Sequence, residues 1–94
     1  MRFECFELHG RLNIESLPVF FEKGSMLLGD GDMCVDFSRV ESVDSSVISM
    51  LLAWKRIAQR TRHDLSVVGY PEDLLSLARL YGVEEILPAP RAAS

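Results

Sequence analysis

A short apolar run, Met33 to Phe37, is followed after a loop by a long helical pattern, Ser45 to Arg62, and then by a second short apolar run, Leu65 to Val68, that stops at Gly69. This succession constrains the fold more than any other feature of the chain. Two strand-length runs on either side of a helix-length periodic segment make a strand–helix–strand unit, which belongs to a parallel or mixed sheet. The rest of the chain repeats the theme. Phe3, Cys5, Phe6 and Leu8 read as a strand interrupted by Gly10 and Asn13. Asn13 is placed to cap a helix through Ile14, Leu17, Phe20 and Phe21, with Pro18 tolerated near its start. That helix is expected to fade across Gly24 to Gly31, where Gly29, Asp30, Gly31 and Asp32 mark a loop. Ser38 to Val43 read as a second loop. Pro71 opens a last helix, Glu72 to Tyr81, which Gly82 ends.

The expected fold is therefore α/β, a small mixed sheet with helices mainly on one face and an N-terminal strand adding an antiparallel edge. Residues 3–87 form the single domain expected of a chain of 94 residues. The segment 88–94, rich in proline and alanine, reads as a flexible tail.

Composition narrows the function classes. Fourteen acidic residues outnumber ten basic ones, a formal charge of −4, which speaks against nucleic acid as a partner. Lys55, Arg56, Arg60 and Arg62 cluster on one helix and read as a solvated face. Cys5 and Cys34 lie in separate strand runs, outside any CxxC pair, so no metal site is expected. They read as two buried thiols of a reducing compartment, although adjacent strands could bring them together. The opening MRFECFELHG alternates in polarity and does not read as a signal peptide. No apolar run approaches the roughly 18 residues that span a bilayer. A cytoplasmic location without membrane insertion is the expectation. Neither GxxxxGK[ST] nor GxGxxG occurs, so no nucleotide cofactor is expected.

The long helix carries more apolar surface than one face of a sheet needs. Its polar stripe is narrow: Ser45, Ser49, Arg56 and Arg60. Ile48, Leu51 and Leu52 suit the sheet, and Val47, Met50, Trp54 and Ile57 form another flank. Two readings compete for that flank. A second helix of the same domain covers it, or Val47, Met50 and Trp54 are a partner surface, where tryptophan and methionine are common contact residues. An uncovered patch of this kind would also support a weak homodimer.

At the head of this helix stands Val43-Asp44-Ser45-Ser46. Asp44 is a good cap for the first turn. The two hydroxyls either fill that turn, or serve as a phosphorylation site, or are read by a docking partner. Catalysis is not expected. A serine nucleophile needs a nearby base, and His63 lies at the far end of the helix, roughly 27 Å from Ser45 at the usual rise. The other histidine, His9, sits in a strand or turn.

The stretch Val35-Asp-Phe-Ser-Arg-Val-Glu-Ser-Val-Asp-Ser-Ser to Ser46, continued by Val47-Ile-Ser-Met-Leu-Leu, resembles the STAS domain family. The resemblance covers nearly the whole chain and implies a four-stranded sheet backed by helices. In the anti-sigma factor antagonists of that family the serine after the aspartate is phosphorylated, which corresponds to Ser45. A second stretch, Leu77-Ala-Arg-Leu-Tyr-Gly-Val-Glu-Glu-Ile-Leu-Pro to Pro88, is similar to the MlaB-like branch, small STAS subunits of phospholipid ABC transport complexes. There the residue matching Ser45 helps to dock the transporter ATPase. The resemblance thus implies a non-catalytic regulatory subunit at the cytoplasmic side of the inner membrane. Its partner is an ABC-type ATPase or, alternatively, an anti-sigma factor kinase. The family commonly has glycine within two residues of the D-[ST] pair, where this chain has Ser46 and Val47. Its short N-terminus implies a truncated edge strand.

Overall fold

A computed structural model describes residues 5–91; Phe3 and the tail residues 92–94 lie outside the described part. The elements follow in the order β1 (Phe6–Leu12), α1 (Leu17–Asp30), β2 (Met33–Val43), α2 (Ser46–Thr61), β3 (Leu65–Val68), α3 (Glu72–Leu80), a 3-10 turn at Glu84–Ile86, and β4 (Ala89–Pro90). The sheet order is β1-β2-β3-β4 and every neighbouring pair is parallel. The expected mixed sheet with an antiparallel edge is therefore corrected. Each strand is followed by a helical crossover rather than a hairpin, so the chain always re-enters the sheet at the same end. Because the strand order never doubles back, right-handed crossovers place all three helices on one face. The crevice that forms where a strand order reverses does not arise here.

One core joins the two layers. Leu8, Leu12, Val35, Phe37 and Val67 from the strands meet Val47, Leu51 and Trp54 of α2 and Leu74 and Ala78 of α3. The alternation along β1 follows from this: Leu8 and Leu12 are buried while Glu7 and Arg11 are exposed.

Strand β2 is longer than its apolar run. Beyond Phe37 it continues through Val43 against β1 alone, pairing His9 with Arg39, Gly10 with Val40 and Leu12 with Val43. Pairing with β3 ends at Asp36 and Val68. The segment expected to be a loop is thus a one-sided strand, too exposed to carry an apolar signature. Where β3 turns away, the Asp-Phe-Ser motif supplies a substitute partner. Ser38 N–H donates to Asp36 Oδ1 at 2.8 Å, and the Ser38 hydroxyl donates to the same oxygen. The chain leaves β3 at Gly69, whose φ of +73° suits glycine.

The register Phe6↔Val35 brings Cys5 beside Cys34, with Cα atoms 4.5 Å apart, and the two form a disulfide. This corrects the expectation of two free thiols. The alignment of adjacent strands, which spacing does not reveal, decided it.

At the other edge the chain stays attached beyond residue 87. Ala89 and Pro90 pair with Ser66 and Val67, and Arg91 N–H donates to the Val67 carbonyl at 2.7 Å. Proline is admissible here because the strand is at the sheet edge. Tyr70, stacked on Phe37 at 6.2 Å, donates its hydroxyl to the Pro88 carbonyl at 2.6 Å. A flexible tail starting at residue 88 is therefore corrected for residues 88–91. Burial raises the Tyr70 phenol well above its usual 10.0. Above about pH 10 an unfolded phenol ionises while the folded one keeps its proton, so this group's stability contribution declines there. Tyr70→Phe should cost about 1 kcal/mol at neutral pH and flatten the alkaline decline. Urea unfolding across pH 8–11 reads both effects, and faster amide exchange at Arg91 should accompany them.

Candidate functional site

Helix α2 is the wall on which the expected site residues sit, so what covers it decides their role. Helix α1 runs on to Asp30, through Gly24 and Gly29, instead of fading from Gly24. Asn13 caps the turn before the helix, accepting from the Glu15 and Ser16 amides at 2.9 and 3.1 Å, and the helix starts at Leu17. Ile14 is left outside it and 76% exposed.

The indole of Trp54 lies on Gly24. A Cβ at that position would come within 2.3 Å of Trp54 Cζ2. Trp54 also stacks on Phe21, meets Phe6 edge-on, and places its Nε1 3.2 Å from the Ser25 hydroxyl oxygen. Val47, Met50 and Trp54 are all buried. The expected partner surface over these three residues is therefore corrected: α1 covers that flank. Leu17, Phe21, Gly24 and Leu28 make the covering stripe at i, i+4, i+7 and i+11, a helical spacing that was present in the sequence. The sequence suggests a helix fading from Gly24 because the residue that packs on this glycine, Trp54, stands thirty positions away.

The hydroxyl turn has the opposite fate. Asp44 and Ser45 are exposed and Ser46 partly so. Asp44 Oδ1 accepts the Ser46 N–H at 2.9 Å and also the Ser46 hydroxyl. The next amides are bonded within the turn, Val47 N–H to the Asp44 carbonyl and Ile48 N–H to the Ser45 carbonyl, both at 3.1 Å. The first three donors of α2 are thus satisfied, so the turn does not offer the open N–H cradle an anion needs. Ser45 already has helical angles, φ −64° and ψ −20°, and its side chain makes no capping bond. The residue is exposed.

Two shallow hollows flank this turn. On the α3 side, Ser45, Ser46, Ile48 and Ser49 face Tyr81 and Val83 across about 460 Å³. On the α1 side, Ser46, Ser49, Met50 and Ala53 face Ile14, Pro18 and Phe21 across about 350 Å³. Tyr81, at 55% exposure, forms the apolar rim on the α3 side with Val83. These rim residues come from the ends of other elements, and nothing in their own local sequence marks them. The stripe Ser45, Ser49, Arg56, Arg60 is exposed along its whole length.

Neither histidine stands near the serines along the chain. His63 follows the opposite end of α2, its Nδ1 2.6 Å from the Leu28 carbonyl oxygen, and His9 packs edge-on against Phe20.

A family model described as "MlaB, STAS domain" matches residues 4–88. The chain belongs to this STAS family. STAS domains are in general regulatory and interaction modules that act on partner proteins such as kinases or ATPases. Among solved structures, the anti-sigma factor antagonist SpoIIAA in its unphosphorylated form superimposes with a TM-score of 0.70 at 16% identity, covering 94% of this chain and 77% of that one. At that identity the likeness concerns the fold. No curated protein matches the chain. In this STAS domain the Asp-Phe-Ser motif ends the shared part of β2, and the Asp-Ser-Ser motif opens α2. No helix among the described residues is long and apolar enough to cross a membrane.

Proposed function

We propose that this STAS domain is a non-catalytic regulatory subunit that docks on the ATPase of an MlaB-like, ABC-type phospholipid transporter. The observation that carries the reading is the state of Ser45. It is an exposed residue whose side chain makes no bond to its own cap, and it lines the hollow closed on the other side by Tyr81 and Val83. Such an arrangement suits recognition, where apolar contact supplies affinity and a hydroxyl supplies register. The family match and the Leu77–Pro88 ending support the transporter branch. The proposed location is the cytoplasmic side of the inner membrane, held there by the partner.

The second reading is an anti-sigma factor antagonist, favoured by the fold likeness to SpoIIAA and by the accessible Ser45 hydroxyl. A phosphoryl group on Ser45 would stand beside Asp44, with the nearby amides already occupied. It would act by charge repulsion and release the partner.

Ser45→Ala should weaken docking about fivefold, on the order of 1 kcal/mol. Ser45→Asp and Ser45→Arg should reduce it at least a hundredfold while leaving the thermal midpoint within a few degrees of wild type. Calorimetric titration against an ABC-type phospholipid-transporter ATPase, and against a kinase-like anti-sigma factor, separates the two readings. Wild-type affinity for both variants with either partner would remove Ser45 from the interface.

A further inference from the structure

The hollow beside Ser46 does not end at α1's first turn. A second depression of about 540 Å³ continues it along α2, and the two share Phe21 and Ala53 as lining residues. Together they make one groove along α2, bordered on the α1 side by Ile14, Leu17, Pro18 and Phe21. Ile14 and Ser46 stand at one end, and Arg56 and Arg60 at the other. From Ser46 to Arg60 the floor is ~21 Å long, about four helical turns. One face of the Phe21 ring stacks on Trp54, and the side chain remains 37% exposed. Ala53 keeps the floor low between the ends. The two arginines, one turn apart, are exposed and form no ion pair with any described residue.

We infer that this groove receives an amphipathic helix of the partner protein, laid along α2 with its apolar side chains on Phe21 and Ile14 and carboxylates at the end facing Arg56 and Arg60. Three features of the groove select this occupant. Its length, about four turns of α2, fits a helix, and its apolar middle fits anchors at i, i+3 and i+7. Its charge is confined to one end, and it is positive in a chain whose net charge is −4. Bidentate arginine–carboxylate pairing there would fix the direction in which the helix lies. The inference rests on the docking function proposed for Ser45 and specifies what the partner inserts.

The test uses the full chain and three synthetic helical peptides of about 16 residues. The first carries leucines at i, i+3 and i+7 and two glutamates at one end. The second replaces the glutamates with lysines, and the third replaces the leucines with glutamine. Fluorescence anisotropy at low salt should show the first binding wild type at least tenfold more tightly than the other two. Arg56→Glu/Arg60→Glu should lose the first peptide at least tenfold and gain the second. Amide shift changes on titration should map to Phe21, Ala53 and Arg60. Equal binding of the acidic and basic peptides to wild type, or shifts confined to other surfaces, would overturn the inference.

The same double variant assayed against the full partner keeps this inference separate from the docking function. Loss of partner binding with Ser45→Arg but not with Arg56→Glu/Arg60→Glu overturns the groove and leaves the function standing. Loss with the arginine variant alone supports the groove and removes Ser45. Loss with both supports the groove and the function together.

Discussion

Trp54→Ala is expected to destabilise the domain by ~3–5 kcal/mol, the usual range for removing a fully buried large aromatic. A chain of this size commonly has a total stability of about 5–14 kcal/mol, so the variant should stand near the edge of folding. The loss is large because Trp54 holds α1 onto α2. Its ring fills the space over Gly24, lies against Phe21 and Phe6, and binds Ser25 through Nε1. The partner residue gives a sharper test. Gly24→Ala should cost about 1–3 kcal/mol in the wild-type background, since the new methyl would overlap the indole. In the Trp54→Ala background the same change should stabilise by up to ~1 kcal/mol, because alanine is the better helix residue once the clash is gone. Urea unfolding followed by circular dichroism gives all four corners of the cycle. An effect of Gly24→Ala that keeps its sign in both backgrounds would show that the two residues do not meet.

Reduction of the Cys5–Cys34 bond is the second large effect. The cysteines are 29 residues apart. Opening a loop of that size returns to the unfolded chain an entropy equivalent to about 3.5 kcal/mol at 25 °C on the chain-entropy account. For a domain this small, the thermal midpoint should fall by roughly 15–25 °C in reductant. Cys5→Ser/Cys34→Ser should match the reduced protein and be insensitive to reductant. Identical midpoints with and without reductant, or two alkylatable thiols in the native oxidised protein, would refute the linkage. The result bears on location, since cytosolic thiol pools work against such bonds. At the proposed cytoplasmic side, stability would rest on the core alone.

Much of the site was legible before any coordinates. Asp44, Ser45 and Ser46 open α2 where the residue types placed them, with Asp44 accepting from the first turn. The exposed stripe Ser45, Ser49, Arg56, Arg60 follows directly from the 3.6-residue period. Asp36 and Ser38 were recognisable as a motif, but their role was not. They substitute for a strand partner that leaves, and only the register of β2 against β3 shows where it leaves.

The errors share a cause. The helix expected to fade from Gly24 continues, and of the two readings of the Trp54 flank the one with a second helix covering it holds, because Gly24 and Trp54 pack on each other. Cys5 and Cys34, like the edge strand Ala89–Pro90, are likewise paired with residues distant in sequence.

The sequence by itself determined the order of strands and helices, the head of α2 and the family. These depend on periodicity, capping and turn chemistry, all of which act within a few residues. The tertiary structure decided which flank of α2 stays open, the parallel register of the sheet and the disulfide. Those depend on which segments meet across 20 to 30 residues of chain, and local preferences carry no information about such meetings.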